Sequence, residues 1–140
     1  MPRGIRGTAP LRSSITLDLD SWLAGILDAT GRFYLWANGA GRWQVRVTIA
    51  VDGAVAHRFA ALTGLRLRHV DGNRYQLPAR ELLPLLIRVL PRMICLHEEG
   101  SMVYRYLITK HGRKSMSDGK LSEAVVAYRR ELCTKLRARR

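Results

Sequence analysis

Leu23-Ala24-Gly25-Ile26-Leu27-Asp28-Ala29-Thr30-Gly31 closes a run that reads as a helix, from a cap at Asp18 or Asp20 through Ser21 and Trp22 to a stop at Gly31. Gly25 and Ala29 stand one helical turn apart and leave one face of that helix without bulk. A second helix can approach closely on such a face. The same stripe would equally serve as a close-packed contact inside a single core.

Downstream of Gly31 the periodicity changes. Arg32 to Ala37 and Arg42 to Ala50 read as strands around Asn38-Gly39-Ala40-Gly41, a turn composition. Gly53 to Thr63 reads as a helix with Val55, Phe59 and Leu62 on one face, ended by Gly64. A second hairpin joins Leu65–Val70 to Arg74–Leu77 through Asp71-Gly72-Asn73. Glu81 to Leu90 is helical, with Pro84 in its first turn and Pro91 at its end. Leu96 to Thr109 gives a further helix. Ser117 to Lys120 offers a helix start, and Leu121 to Leu136 sets Val125, Tyr128, Leu132 and Leu136 on one face with a basic face opposite. The fold class is α+β, in the order α-β-β-α-β-β-α with extra C-terminal helices.

The 140 residues fit one domain, and 47% hydrophobic residues suffice for a core. No apolar run approaches the roughly 18 residues of a membrane span, so no membrane partner is expected. Lys and Arg exceed Asp and Glu by 13, and of 24 basic residues 20 are arginine. That charge calls for a polyanion, and arginine's planar fork suits phosphates and base edges. Arg-rich codon usage would give the same bias. Cys95 and Cys133 form no ligand motif, and His57, His69, His97 and His111 are scattered, so neither metal nor cofactor is expected. Residues 1–17 form a basic tail with Arg3, Arg6 and Arg12; up to Thr16 it has no acid, the composition of an organelle transit peptide or an RNA-binding tail.

Strand alternation gives the clearest functional signal, because every second side chain shares a face. Phe33, Leu35, Trp43, Val45, Val47 and Ile49 point to the core, as do Leu65, Leu67, Tyr75 and Leu77. Arg32, Tyr34, Trp36, Arg42, Gln44, Arg46, Thr48, Arg66, Arg68, Arg74 and Gln76 then share the other face, with no acid among them. An ordinary solvated face would mix in acids. Arginine and glutamine reach base edges, and Tyr34 and Trp36 can stack on unpaired bases, so a nucleic-acid platform is expected. Arg113, Lys114, Arg137, Arg139 and Arg140 of the basic C-terminal segment extend it.

Leu23 to Gly31 resembles the LAGLIDADG motif of homing endonucleases, apart from the order of Ile26 and Leu27 and Thr30 in place of an acid. The element order matches that family's through about residue 110. The resemblance implies a curved antiparallel sheet gripping nucleic acid and a homodimer through the Gly25–Ala29 face. It divides the chain into the tail, a LAGLIDADG-like domain at 18–112, and a C-terminal helix and tail at 113–140 on the same domain. In that family the motif's eighth residue is the metal-binding acid. Here it is Thr30, whose neutral hydroxyl cannot replace a carboxylate for Mg²⁺. Asp28 lies on another helix face and suits local hydrogen bonds better than the metal site. Where active members often carry a polar residue and a lysine, this chain has Val51 and Cys95-Leu96-His97-Glu98-Glu99. His97 with the two glutamates could form a new acid–base group, but acids at a helix start are also expected from its dipole. The expectation is therefore a catalytically degenerate member that is not an enzyme. It would be an RNA-binding structural component of an organellar ribonucleoprotein such as the mitochondrial ribosome, with RNA favoured over DNA and ribosomal proteins as partners. The alternatives are a homodimeric metal-dependent DNA endonuclease, with Asp28 as its candidate catalytic residue, and a duplex-DNA-binding regulator. The expected location is mitochondrial or another organelle, in soluble form.

Overall fold

The computed structural model describes residues 8–37, 43–111, 116–117, 120–121 and 123–139. The chain runs α1 (Thr8–Thr30), β1 (Arg32–Ala37), β2 (Trp43–Ala50), α2 (Gly53–Thr63), β3 (Arg68–Asp71) and β4 (Arg74–Gln76). It continues with α3 (Leu82–Val89), α4 (His97–His111), β5 (Met116–Ser117), β6 (Lys120–Leu121) and α5 (Glu123–Ala138). The turn at 38–41 and the candidate residues Arg42, Arg113, Lys114 and Arg140 lie outside the described residues.

β1 to β4 form one antiparallel sheet in the order β1-β2-β4-β3. Phe33, Leu35, Val45, Val47 and Ile49 are buried on one side of it. They share a core with Leu23, Ala24 and Leu27 of α1, Leu85, Leu86 and Val89 of α3, Val103, Tyr106 and Leu107 of α4, and Leu132, Cys133 and Leu136 of α5. Burial of each such leucine contributes about 1.5–3 kcal/mol. An antiparallel sheet covered on one side leaves its other face to solvent or a ligand.

α1 ends where the chain turns into β1, and Gly31 is required there by proximity. Its N–H donates to the Leu27 carbonyl at 2.8 Å. A Cβ on Gly31 would stand 2.5 Å from that oxygen. α2 is capped by Asp52, which accepts from Val55 N–H at 3.0 Å, and is ended by Gly64 at φ 75°.

The structure corrects several expected boundaries. α1 begins at Thr8, ahead of Asp18 and Asp20. β3 begins at Arg68, because β4 is only three residues long and offers Leu65 to Leu67 nothing to pair with. At the expected helix start, Ser117 and Lys120 instead lie opposite each other in the antiparallel pair of β5 and β6. Leu62 is 43% and Tyr128 38% exposed, so neither completes its expected apolar face. On α2, Ala56 is buried instead, beside Phe59.

Candidate nucleic-acid interface

Register decides which side chains meet. Arg32 on β1 lies opposite Thr48 on β2, Thr48 opposite Gln76 on β4, and Gln76 opposite Arg68 on β3. One row thus crosses all four strands. The same face carries Tyr34 opposite Arg46, Trp36 opposite Gln44, and Arg74 opposite Ala50. Arg66 is exposed just before β3.

These groups are partly pre-ordered. Arg68 Nη2 donates to Gln76 Oε1 at 2.6 Å, and the Arg46 guanidinium lies 5.4 Å from the Trp36 ring centroid, a cation–π contact. Arg74 donates to both Asp71 oxygens, at 3.2 and 3.3 Å. That pairing, with a smaller contribution from Tyr34, raises the Arg74 pKa, while the hydrogen bond from Arg74 lowers that of Asp71. Among the described residues, Arg32, Arg46, Arg66, Arg68 and Arg137 meet no carboxylate.

Two expected contact residues are placed otherwise. Thr48 is on the expected face but only 4% exposed, and its hydroxyl has no hydrogen-bond partner among the described residues, so it lies too deep to meet a ligand directly. Alternation fixes the face of a side chain and says nothing of its depth. Arg139 turns to α4, where its Nε donates to Glu99 at 3.0 Å and its guanidinium pairs with Glu98 at 3.7 Å.

Arg137 reaches the sheet through a contact that sequence spacing does not signal. β1 is an edge strand, and α5 covers that edge: the Cys133 thiol donates to the Leu35 carbonyl at 2.9 Å. One turn later Arg137 joins Tyr34, Leu35, Trp36 and Arg46 around a recess of about 340 Å³.

At the end of α1, the Thr30 hydroxyl donates to the Ile26 carbonyl at 2.7 Å. The Asp28 carboxylate accepts from Ile94 N–H at 2.7 Å and Leu96 N–H at 3.0 Å, tying α1 to the loop before α4. Gly25 and Ala29 are exposed, and a Cβ on Gly25 would meet nothing within 4 Å among the described residues, so the small-residue stripe is not consumed by the described core.

No family model and no curated relative matches the sequence. Among solved structures, the homing endonuclease I-CvuI with the I-CreI target, in 2 mM Mg with the DNA not cleaved, matches at 18% identity. The match covers 88% of this chain and 97% of that one, with a TM-score of 0.56. I-CvuI with its own target Sro1.3, in 2 mM Ca, matches at 18% identity over 84% and 93%, with a TM-score of 0.53. The fold is that of the LAGLIDADG homing endonucleases. In this LAGLIDADG-like fold, Leu23 to Gly31 forms the last turns of α1 and leads directly into the sheet.

The comparison overturns one expectation. The chain was expected not to be an enzyme, yet the solved structures that share its fold are themselves homing endonucleases. The groups at the end of α1 nevertheless do not fit a divalent metal. Thr30 supplies no charge, Asp28 is engaged by two N–H groups, and Glu99 is held by Arg139. Among the described residues no group of three or more His, Cys, Asp or Glu gathers as a metal site, and no helix is long and apolar enough to cross a membrane.

Proposed function

We propose that the chain binds nucleic acid on the polar face of its four-stranded sheet, with arginines on phosphates and Gln44 and Gln76 at base edges. The observation that carries this reading is the row Arg32, Thr48, Gln76 and Arg68, flanked by Arg46, whose arginines meet no carboxylate among the described residues. Like charges within about 10 Å repel at ordinary salt, and a polyanion relieves that repulsion. The DNA targets held by the solved structures of this fold support nucleic-acid binding.

Structured RNA is the ligand we favour over duplex DNA, because Tyr34 and Trp36 stand on this face and aromatic rings reward unpaired bases. A second copy seated on the exposed Gly25–Ala29 stripe would set two such sheets side by side.

Fluorescence anisotropy with a labelled structured RNA and a labelled duplex DNA tests the reading. Binding is expected for the wild type and should weaken at least tenfold in a variant combining Arg32→Ala, Arg46→Ala and Arg68→Ala. Equal affinity of that variant and the wild type would remove the sheet face from the interface. Incubating both ligands with Mg²⁺ shows in the same samples whether strands are cut.

A further inference from the structure

We propose that the recess between the C-terminal turn of α5 and the outer side of β1 is a seat for one unpaired nucleotide. Its base would stack against the aromatic side chains there, and its phosphate would lie between Arg46 and Arg137. The inference rests on the sheet face being the nucleic-acid surface, and it adds a discrete site with a single-nucleotide ligand.

The lining is Tyr34, Leu35, Trp36, Arg46 and Arg137, two aromatic residues and two cations with no acid. Its volume of about 340 Å³ is at the small end of the roughly 300–1,000 Å³ typical of ligand clefts, a size for one nucleotide. Tyr34 and Trp36, two positions apart on β1, share one face of the strand, so both rings can meet a base from the same side.

The two cations reach the recess from separate elements. Arg46 comes from β2 and already lies over Trp36. Arg137 comes from α5, pinned over the strand edge by the Cys133 contact with Leu35, and its Nη2 lies 3.5 Å from that sulfur. Among the described residues neither cation meets a carboxylate, so a phosphate would not have to displace an acid from either. A base held inside a duplex stack has no face free for such a seat, so the ligand must present its base outside the stack.

Three labelled RNA hairpins test this: one fully paired, one with a single bulged nucleotide, and one with the same bulge lacking its base. The bulged hairpin should bind about 5- to 140-fold more tightly than the paired one, the range expected for one stacked base, and the abasic bulge should show no such gain. Trp36→Ala should erase the preference, and Trp36→Phe should restore most of it. Arg137→Ala, at an exposed position that leaves the core intact, should reduce the preference with an unchanged circular dichroism spectrum. Equal affinity for paired and bulged hairpins would overturn the seat while leaving the sheet-face reading standing. So would an abasic bulge binding as tightly as the complete one. Failure of all three hairpins and their DNA counterparts to bind would bring down the sheet-face reading and the seat with it.

Discussion

The carboxylate of Asp28 holds the backbone N–H of Leu96 at 3.0 Å across 68 residues of sequence, while its other oxygen takes Ile94 N–H at 2.7 Å. A charged acceptor serving two backbone donors is stronger than a neutral one, and its loss strands both. Asp28→Asn keeps one acceptor oxygen and turns an NH₂ toward the other donor. The expected cost is about 1–3 kcal/mol of stability, read as a lower urea midpoint at unchanged slope. An unchanged midpoint would show that the clamp does not hold the loop. If the chain cuts DNA and Asp28→Asn abolishes cutting at full stability, the residue belongs to the chemistry.

Gly25 and Gly31 lie in the same motif and should respond in opposite directions. Gly31→Ala puts a methyl group against a backbone oxygen 2.5 Å away, which cannot rotate aside. It should destabilise by more than the roughly 1 kcal/mol expected of ordinary helix-end changes. Gly25→Ala meets open space and should stabilise the single chain by about 0.5–1 kcal/mol through helix propensity. Gly25→Trp would block close approach of a second helix. If the wild type is a dimer in sedimentation and Gly25→Trp leaves it one, the stripe is not the dimer face.

Thr48 carries a buried hydroxyl with no partner among the described residues, and an unsatisfied buried polar atom costs about 1–3 kcal/mol. Thr48→Val exchanges that oxygen for a methyl group in a strand that favours valine. Thermal unfolding should move upward, and nucleic-acid binding should stay within about twofold. A downward shift would mean that the hydroxyl has a partner in solution.

How far these features were legible in the sequence follows from their range. The end of α1 at Gly31 and the faces of Phe33, Leu35, Val45, Val47 and Ile49 could be read, because both depend on local periods that the side chains repeat. The start of α1 could not, since its first turn carries no acid to mark it. Leu65 and Leu67 alternate with Arg66 and Arg68 as a strand would, but strand formation needs a partner, and β4 ends at Gln76. The pairing of Arg139 with Glu99 and the delivery of Arg137 to β1 both depend on where α5 docks, which no spacing in the sequence records.

Tyr106 makes alkaline stability a test of the α4–α5 packing. Burial pushes its phenol above the ordinary value of 10.0, and Arg129, with its guanidinium 5.0 Å from the ring centroid, opposes this in part. A raised folded pKa means a contribution fully present below pH about 10 and lost as pH rises through the folded value. Wild-type stability should therefore fall between about pH 9 and pH 12 more steeply than that of Tyr106→Phe. At neutral pH the variant should lose only about 0.5–1.5 kcal/mol, for the hydrogen bond its hydroxyl donates to the Trp43 carbonyl. Parallel curves for the two proteins would place the phenol in contact with water.

Arg68 and Arg139 separate a cation aimed at ligand from one consumed by the fold. Each phosphate neutralised on duplex DNA releases about 0.9 condensed counterions, and about 0.7 on a single strand, so the slope of log affinity against log salt counts cations that pair only in the complex. Arg68 is held by the neutral Gln76, leaving its charge uncompensated. Arg139 already faces Glu99 and Glu98. Arg68→Ala should therefore flatten the slope by close to one full counterion, whereas Arg139→Ala should leave it nearly unchanged and cost stability instead. Gln76→Ala removes no charge and should weaken binding without altering the slope, unless freeing Arg68 swings it off the phosphate. An Arg139→Ala slope change as large as that of Arg68→Ala would mean that the Glu99 pair opens when nucleic acid binds.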